Sequence, residues 1–220
     1  MLTHTLHTAY SYICSLIAPP FCQGCSLFLA QDTLFCDSCW KHVKPVAPTI
    51  IPVTQNKSVT VYALGAYAFP LKHVILKKNS RAVAVSALLG HALWHKTIIQ
   101  AMHFDYLVPI PLHWTRRCWR GFNQTEEIST AISRLCTKKM ILALKRTKKT
   151  RFQAECSKAE RADNILDAFI ATADAALLKN KTVLLVDDLL TTGSTLSHAA
   201  KVLYKAGAHT VIAVVGAKAI

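Results

Sequence analysis

Acidic residues are scarce in this chain: 12 Asp and Glu stand against 26 Lys and Arg in 220 residues, leaving a formal net charge of +14. A surface so depleted of carboxylates points to a polyanionic partner, whether nucleic acid, a phosphorylated ligand or an anionic membrane surface. The first twenty residues, MLTHTLHTAYSYICSLIAPP, contain no Lys or Arg, and His, Thr, Tyr and Ser interrupt their apolar stretch. No secretory signal peptide is therefore expected. No apolar run reaches the roughly 20 residues a membrane span needs, so no membrane insertion and a soluble, cytoplasmic protein are expected. There is no internal repeat and no low-complexity tract. At 52% hydrophobic, the chain has enough apolar material for a real core, and its length suits one full domain plus a small appendage.

The eight cysteines divide into a tight quartet, Cys22, Cys25, Cys36 and Cys39, and four scattered singles, Cys14, Cys118, Cys136 and Cys156. A secreted disulfide scaffold would not divide that way; metal plus free thiols in a reducing compartment would. The quartet is two Cys-x2-Cys knuckles separated by ten residues. Four thiolates so spaced can surround one Zn2+ tetrahedrally and leave no open position, as in a structural site. A module this short buries too little apolar surface to fold alone, so metal affinity would be folding free energy. His42 is the one histidine close enough to rival a cysteine as ligand.

Leu6, Tyr10, Ile13 and Ile17 recur at helical spacing ahead of Pro19-Pro20, which predicts a short amphipathic helix leading into the cysteines. Residues 44–60 carry three prolines and few charges and read as an extended linker. The expected division is therefore a helix and zinc-ribbon module over 1–50 and a larger domain over 51–220. In that domain, strand-like runs at 61–67, 105–111, 140–146, 167–171, 182–188 and 210–215 alternate with helical patterns around 82–95, 123–137 and 195–206. Val-, Ile- and Leu-rich strands taking turns with amphipathic helices predict an α/β fold, a parallel sheet with helices on both faces.

The most informative segment runs from Val183 to Thr195. A buried strand delivers Asp187 and Asp188 to its C-terminal edge, where ligands bind in open α/β sheets. Then comes a turn of Thr191, Thr192, Gly193, Ser194 and Thr195 at the start of a helix. Gly193 permits close backbone approach, exposed N–H groups and the helix dipole attract a phosphate, and the hydroxyls add donors. The result is a phosphate cup with an acidic rim.

This arrangement resembles the motif of the phosphoribosyltransferases that binds 5-phosphoribosyl-1-pyrophosphate (PRPP), apolar residues followed by two acidic residues and a T-T-G-x-T turn. The resemblance implies a type I phosphoribosyltransferase fold in which Asp187 and Asp188 meet the ribose hydroxyls and Thr191–Thr195 hold the 5′-phosphate. It extends over nearly the whole chain: residues 108–124, 144–169 and the cysteine quartet are similar to the ComF family. The ComF-like positions include Arg117, Arg120-Gly121-Phe122-Asn123-Gln124, Arg146, Gln153, Arg161, Asn164 and Phe169. One departure follows Tyr67, where the family carries a Lys about a dozen residues on and this chain has Lys77-Lys78-Asn79.

By order along the fold, the loop holding Arg116, Arg117 and Arg120 faces the pyrophosphate, which guanidinium groups grip bidentately. Asn123, three residues before Glu126, reads either as a helix N-cap or as a ligand contact. The basic stretch 145–161 corresponds to the family's mobile loop. Arg146 there suits the pyrophosphate, and Lys148, Lys149 and Arg151 suit a nucleic-acid backbone. Phe152, Trp114 and Trp119 are candidates for base stacking and equally for packing within the domain. No segment is identifiable as a base-recognition hood.

Two classes of function follow. An enzyme would displace pyrophosphate from C1 of PRPP with a nitrogen nucleophile, Mg2+ neutralising the diphosphate; its acceptor would be a salvaged nitrogenous base. A binding protein would keep the PRPP site while its basic surface holds single-stranded DNA. The ComF resemblance favours the second, in bacterial DNA uptake (competence, natural transformation), and implies the ComF-operon helicase and the recombination mediator DprA as partners.

Overall fold

The computed structural model describes residues 20–76, 82–112, 121–147 and 168–220. The expected helix before Pro19, Arg117 and Arg120, Lys77 and Lys78, and Lys148, Lys149 and Arg151 lie outside the described residues. Eight strands occur in chain order: β1 Thr49–Thr54, β2 Lys57–Ala63, β3 Tyr106–Pro109, β4 Lys139–Met140, β5 Leu144–Arg146, β6 Phe169–Ala171, β7 Thr182–Leu190 and β8 Thr210–Lys218. The helices are α1 Asp37–Lys41, α2 Leu71–Leu76, α3 Ala82–Lys96, α4 Gln124–Cys136 and α5 Ser194–Lys205. None of the described helices is long and apolar enough to cross a membrane.

Six strands form one sheet in the order β1-β2-β8-β7-β3-β4, parallel from β2 to β4 with β1 antiparallel at the edge. Successive side chains on a strand point to opposite faces, so a strand buried on both sides must be apolar at every position. β7 does this from Val183 to Val186: Val183 and Leu185 enter one buried cluster with Leu196, Ala199 and Leu203 of α5, while Leu184 and Val186 enter a second with Leu89 and Leu93 of α3 and Ile128 and Ile132 of α4. Helices therefore cover both faces, and β8 sits near the centre, hydrogen-bonded to β2 and β7.

Two expectations need correction. Residues 44–60 are not a linker. Residues 49–54 and 57–63 form an antiparallel hairpin around Gln55-Asn56, and β1 straddles the division expected between residues 50 and 51. Pro52 misled the reading, because an edge strand tolerates a missing N–H that a central strand cannot. The run 140–146 is not one strand either. It leaves the main sheet after Met140, and Leu144–Arg146 pairs instead with Phe169–Ala171 in a separate two-stranded sheet. Around the bend, Ile141 N–H still reaches Leu107 O at 2.9 Å, whereas Thr172 N–H reaches back to Ala143 O at 3.0 Å.

The cysteine module is not a free appendage. Cys22, Leu34, Phe35 and Cys39 share the buried cluster of α2 and α3. Ala66 N–H donates to Lys44 O at 2.9 Å, tying the segment after α1 to the segment after β2.

Candidate functional site

Asp187 and Asp188 lie in the C-terminal half of β7, and the strand continues to Leu190 before the turn. Asp187 is buried, and the Asp188 N–H donates to its Oδ1 at 2.9 Å. Burial, reinforced by the neighbouring Asp188 charge, raises the Asp187 carboxyl well above the usual carboxylate range, and the Arg146 guanidinium works in the opposite direction. The fold thus brings Arg146, forty-one positions earlier in sequence, into the electrostatic reach of the acidic pair. Its register explains this: Arg146 on β5 is paired with Phe169 on β6, and its Cζ lies 5.4 Å from the Phe169 ring centroid.

The turn that follows has the shape its residues suggest. Gly193 adopts φ +80° and precedes α5 without a side-chain cap. The first helical bond runs from Ser197 N–H to Gly193 O at 2.9 Å, so the amides ahead of it have no acceptor within the helix. Thr192 Oγ1 and Ser194 Oγ lie 2.6 Å apart, and Thr191 and Thr192 are exposed. A Cβ at Gly193 would meet Ile51 Cδ1 at 2.7 Å, and Ser197 Oγ donates to Pro52 O at 3.2 Å. The edge strand β1 therefore braces the turn. Polar amides, hydroxyls and a helix N-terminus on one side, with carboxylates on the other, can accept an anion and a polyol side by side.

At the exit of β3 a cavity of about 340 Å³ is lined by Pro109, Leu112, Glu126, Leu144, Lys145 and Arg146 among others. The two-stranded β5–β6 sheet forms one of its walls through Leu144–Arg146. Both strands lie inside runs expected as strands, 140–146 and 167–171, but nothing in the sequence signalled that Leu144–Arg146 and Phe169–Ala171 pair with each other and stand apart from the main sheet.

Asn123 resolves as a cap. It is buried, its Oδ1 accepts from Thr125 N–H at 3.4 Å, and its Nδ2 donates to Ile110 O at 3.2 Å and to Glu126 Oε1 at 3.1 Å. Those bonds tie the start of α4 to the end of β3.

The four quartet thiols converge: the Sγ atoms of Cys22, Cys25, Cys36 and Cys39 all lie within 4.8 Å of one another, and Cys25 and Cys36 are 3.7 Å apart. That separation matches the edge of a tetrahedron with metal–sulfur bonds of about 2.3 Å, so the cluster can hold a metal ion. Burial opposes ionisation of Cys22, yet the amides of Cys25, Cys36 and Gly24 bring its thiol down to about 6. Cys36 N–H reaches Cys22 Sγ at 3.3 Å. Burial and the adjoining sulfurs push Cys39 upward instead. Sulfurs this close cannot all ionise without a cation among them. Gly24 is required by crowding, since a Cβ there would meet Cys39 Sγ at 2.8 Å and Pro70 Cβ at 2.9 Å. His42 stands apart from the quartet, its Nδ1 2.8 Å from Ser38 O and its ring against Phe69.

Comparison with known proteins places these features in company. The family described as phosphoribosyl transferase domain matches residues 124–219, from α4 through the turn to β8. Competence protein F of Haemophilus influenzae is 29% identical over 214 residues, 92% of this chain and 88% of that protein. The DNA utilization protein YhgH of Escherichia coli O157:H7 is 31% identical over 216 residues, 93% of this chain and 88% of that protein. Among solved structures, a phosphoribosyltransferase from Corynebacterium diphtheriae superposes with a TM-score of 0.38 at 18% identity, covering 80% of this chain and 78% of that one.

Proposed function

Because the chain belongs to the ComF family, that of competence protein F and the DNA utilization protein YhgH, and has the type I phosphoribosyltransferase fold, we propose that it binds PRPP and handles incoming single-stranded DNA in the cytoplasm during bacterial DNA uptake. The observation that carries the PRPP reading is the juxtaposition on β7 and α5: an acidic pair with Asp187 buried, a Gly193-centred turn whose amides have no acceptor within the helix, and Arg146 in electrostatic reach of Asp187.

In this reading Asp187 and Asp188 accept from the ribose 2′- and 3′-hydroxyls, and Thr191, Thr192, Gly193, Ser194 and Thr195 wrap the 5′-phosphate. Arg117, Arg120 and Arg146 face the pyrophosphate, which arrives with its Mg2+. Lys148, Lys149 and Arg151 contact the DNA backbone, and the zinc-ribbon quartet Cys22, Cys25, Cys36 and Cys39 holds a structural Zn2+. An all-sulfur tetrahedral set favours zinc among divalent ions and leaves no position for substrate. The ligand also relieves a cost: hydroxyl donors reaching Asp187 would stabilise the ionised form that burial disfavours.

A second reading, phosphoribosyl transfer to a nitrogenous base, is supported by the cavity beside β5–β6, which offers a slot of Pro and Leu side chains next to the site. One assay separates the two. Pyrophosphate release is measured with PRPP and Mg2+ against free bases and against single-stranded DNA. Turnover with a base supports the salvage enzyme, and PRPP binding without turnover, together with DNA binding, supports the first reading.

A further inference from the structure

From Ser38 to Phe104 the chain contains no Asp or Glu. The fold sets Lys41, Lys44, Lys72 and Lys96 of this stretch among aromatic rings around the place where the segment after α1 meets the segment entering α2. Phe69 is 42% exposed, and the His42 and His73 rings flank it at 5.9 and 5.3 Å. Lys72 Nζ lies 5.9 Å from the Tyr67 ring centroid, and Lys96 Nζ lies 5.6 Å from that of Trp40. Lys41 and Lys44 are exposed on the same segment as Trp40 and His42.

This face leads to the candidate site. Tyr67 N–H donates to Lys218 O at 2.7 Å, and Lys218 is the register partner of Leu190, the residue before the Thr191 turn. The loop after β2 and the phosphate turn thus share the C-terminal edge of one parallel sheet. Cations interleaved with rings suit a flexible polyanion carrying flat bases. A duplex hides those bases, and a lipid surface would need a longer apolar stripe than Phe69 supplies.

We propose that single-stranded nucleic acid lies along this face, its bases stacking on Phe69 and its backbone neutralised by Lys72 and Lys96, and so approaches the phosphate turn from the cysteine-module side. This rests on the single-stranded DNA function proposed above and goes beyond it, since that reading assigned the DNA contacts to Lys148, Lys149 and Arg151.

The test is fluorescence anisotropy of the full-length protein with labelled oligo(dT) across a salt series. Phe69→Ala should weaken binding by about ten-fold, stacking on an aromatic being worth at least that. Phe69→Trp should restore it. Lys72→Ala/Lys96→Ala should reduce the salt slope by about 1.4 units, at about 0.7 per phosphate on a single strand. Melting temperatures verify that each variant is folded, and the Lys pair, exposed on the surface, keeps the test valid if Phe69→Ala is not. Normal binding by these variants, with loss in Lys148→Ala/Lys149→Ala/Arg151→Ala, would overturn this inference and leave the DNA function standing. Equal affinity for duplex, or capture by phosphatidylserine vesicles that oligo(dT) does not compete, would also overturn it. No binding of oligo(dT) by the unaltered protein at low salt would remove the DNA function itself.

Discussion

The cysteine module and the β7–α5 turn each crowd like groups together, and they are held by opposite means. At the quartet, the sulfurs are brought within 4.8 Å by a short segment with little core of its own, and the zinc proposed above would hold the cluster and its fold together. At the turn, the sheet and two buried clusters hold Asp187 in place whether or not anything binds, and the carboxylate bears an electrostatic cost as a result. One site is made by its ligand; the other waits for it. Removing ligating groups should therefore unfold the first and relax the second.

The largest effect is expected at the quartet. The proposed zinc, one ion per chain, should be lost in Cys22→Ser/Cys25→Ser, measured by metal analysis of protein purified without added zinc. Structural sites of this kind contribute about 10–16 kcal/mol of apparent binding energy in isolated zinc-finger peptides. Because Leu34 and Phe35 share the cluster of α2 and α3, the melting temperature should fall as well. A variant that keeps its zinc and its N-terminal fold would break the comparison at its first term.

Next comes the PRPP site. PRPP with Mg2+ should raise the melting temperature, by an amount equivalent to about 2.7 kcal/mol at a hundred times Kd. Asp187→Ala/Asp188→Ala should remove that shift. An unchanged shift would mean that the acidic pair does not hold the ribose.

Gly193→Ala tests the brace from β1. A left-handed conformation costs an L-residue about 1–2 kcal/mol, and here the added Cβ also meets Ile51 Cδ1 at 2.7 Å. Thermal melting should show the loss, and in a double-mutant cycle Gly193→Ala should cost less in an Ile51→Ala background, by the part due to the clash. An equal cost in both backgrounds would assign the whole effect to φ.

The smallest effect has the unusual sign. The folded pKa of Asp187 is raised above its unfolded value, so the native state binds the extra proton, and stability falls as pH rises from the unfolded carboxylate range through the folded pKa. Asp187→Asn removes that titration. It should raise the melting temperature of the ligand-free protein at neutral pH by a few degrees, at about 2–4 °C per kcal/mol, with the gain shrinking in acid. A lowered melting temperature at pH 7 would show that the sheet does not bear this cost.

The same contrast explains what the sequence revealed. The quartet and the segment from Val183 to Thr195 were legible because each is local: two short spacings in one case, and a strand, acidic pair and helix start in immediate succession in the other. The spans of α3, α4 and α5 were legible from their periods, and the structure brings their ends within a residue or so of expectation. β1 was not, since Pro52 and the bulge beside it disguise an edge strand as a linker. The runs that hold β5 and β6 were expected as strands, and the family resemblance put Arg146 at the pyrophosphate. The pairing of Leu144–Arg146 with Phe169–Ala171 was beyond reach for another reason: it spans more than twenty residues, which no local pattern encodes. Asn123 was ambiguous because capping and ligand binding use the same side chain; its buried bonds to Ile110 and Glu126 decide for the cap.

The place of β8 has a consequence for how the protein is made. Thr210–Lys218 lies between β2 and β7, yet it leaves the ribosome after every other strand of the sheet. Until it emerges, β2 and β7 have no common neighbour, and the edges of both are open to other chains. The nascent chain carries its acidic pair and its phosphate turn on half a sheet, without the Leu190–Lys218 pairing that closes the edge. Folding of this sheet thus cannot complete before β8 has been made, and the interval until then is when a chaperone has most to protect.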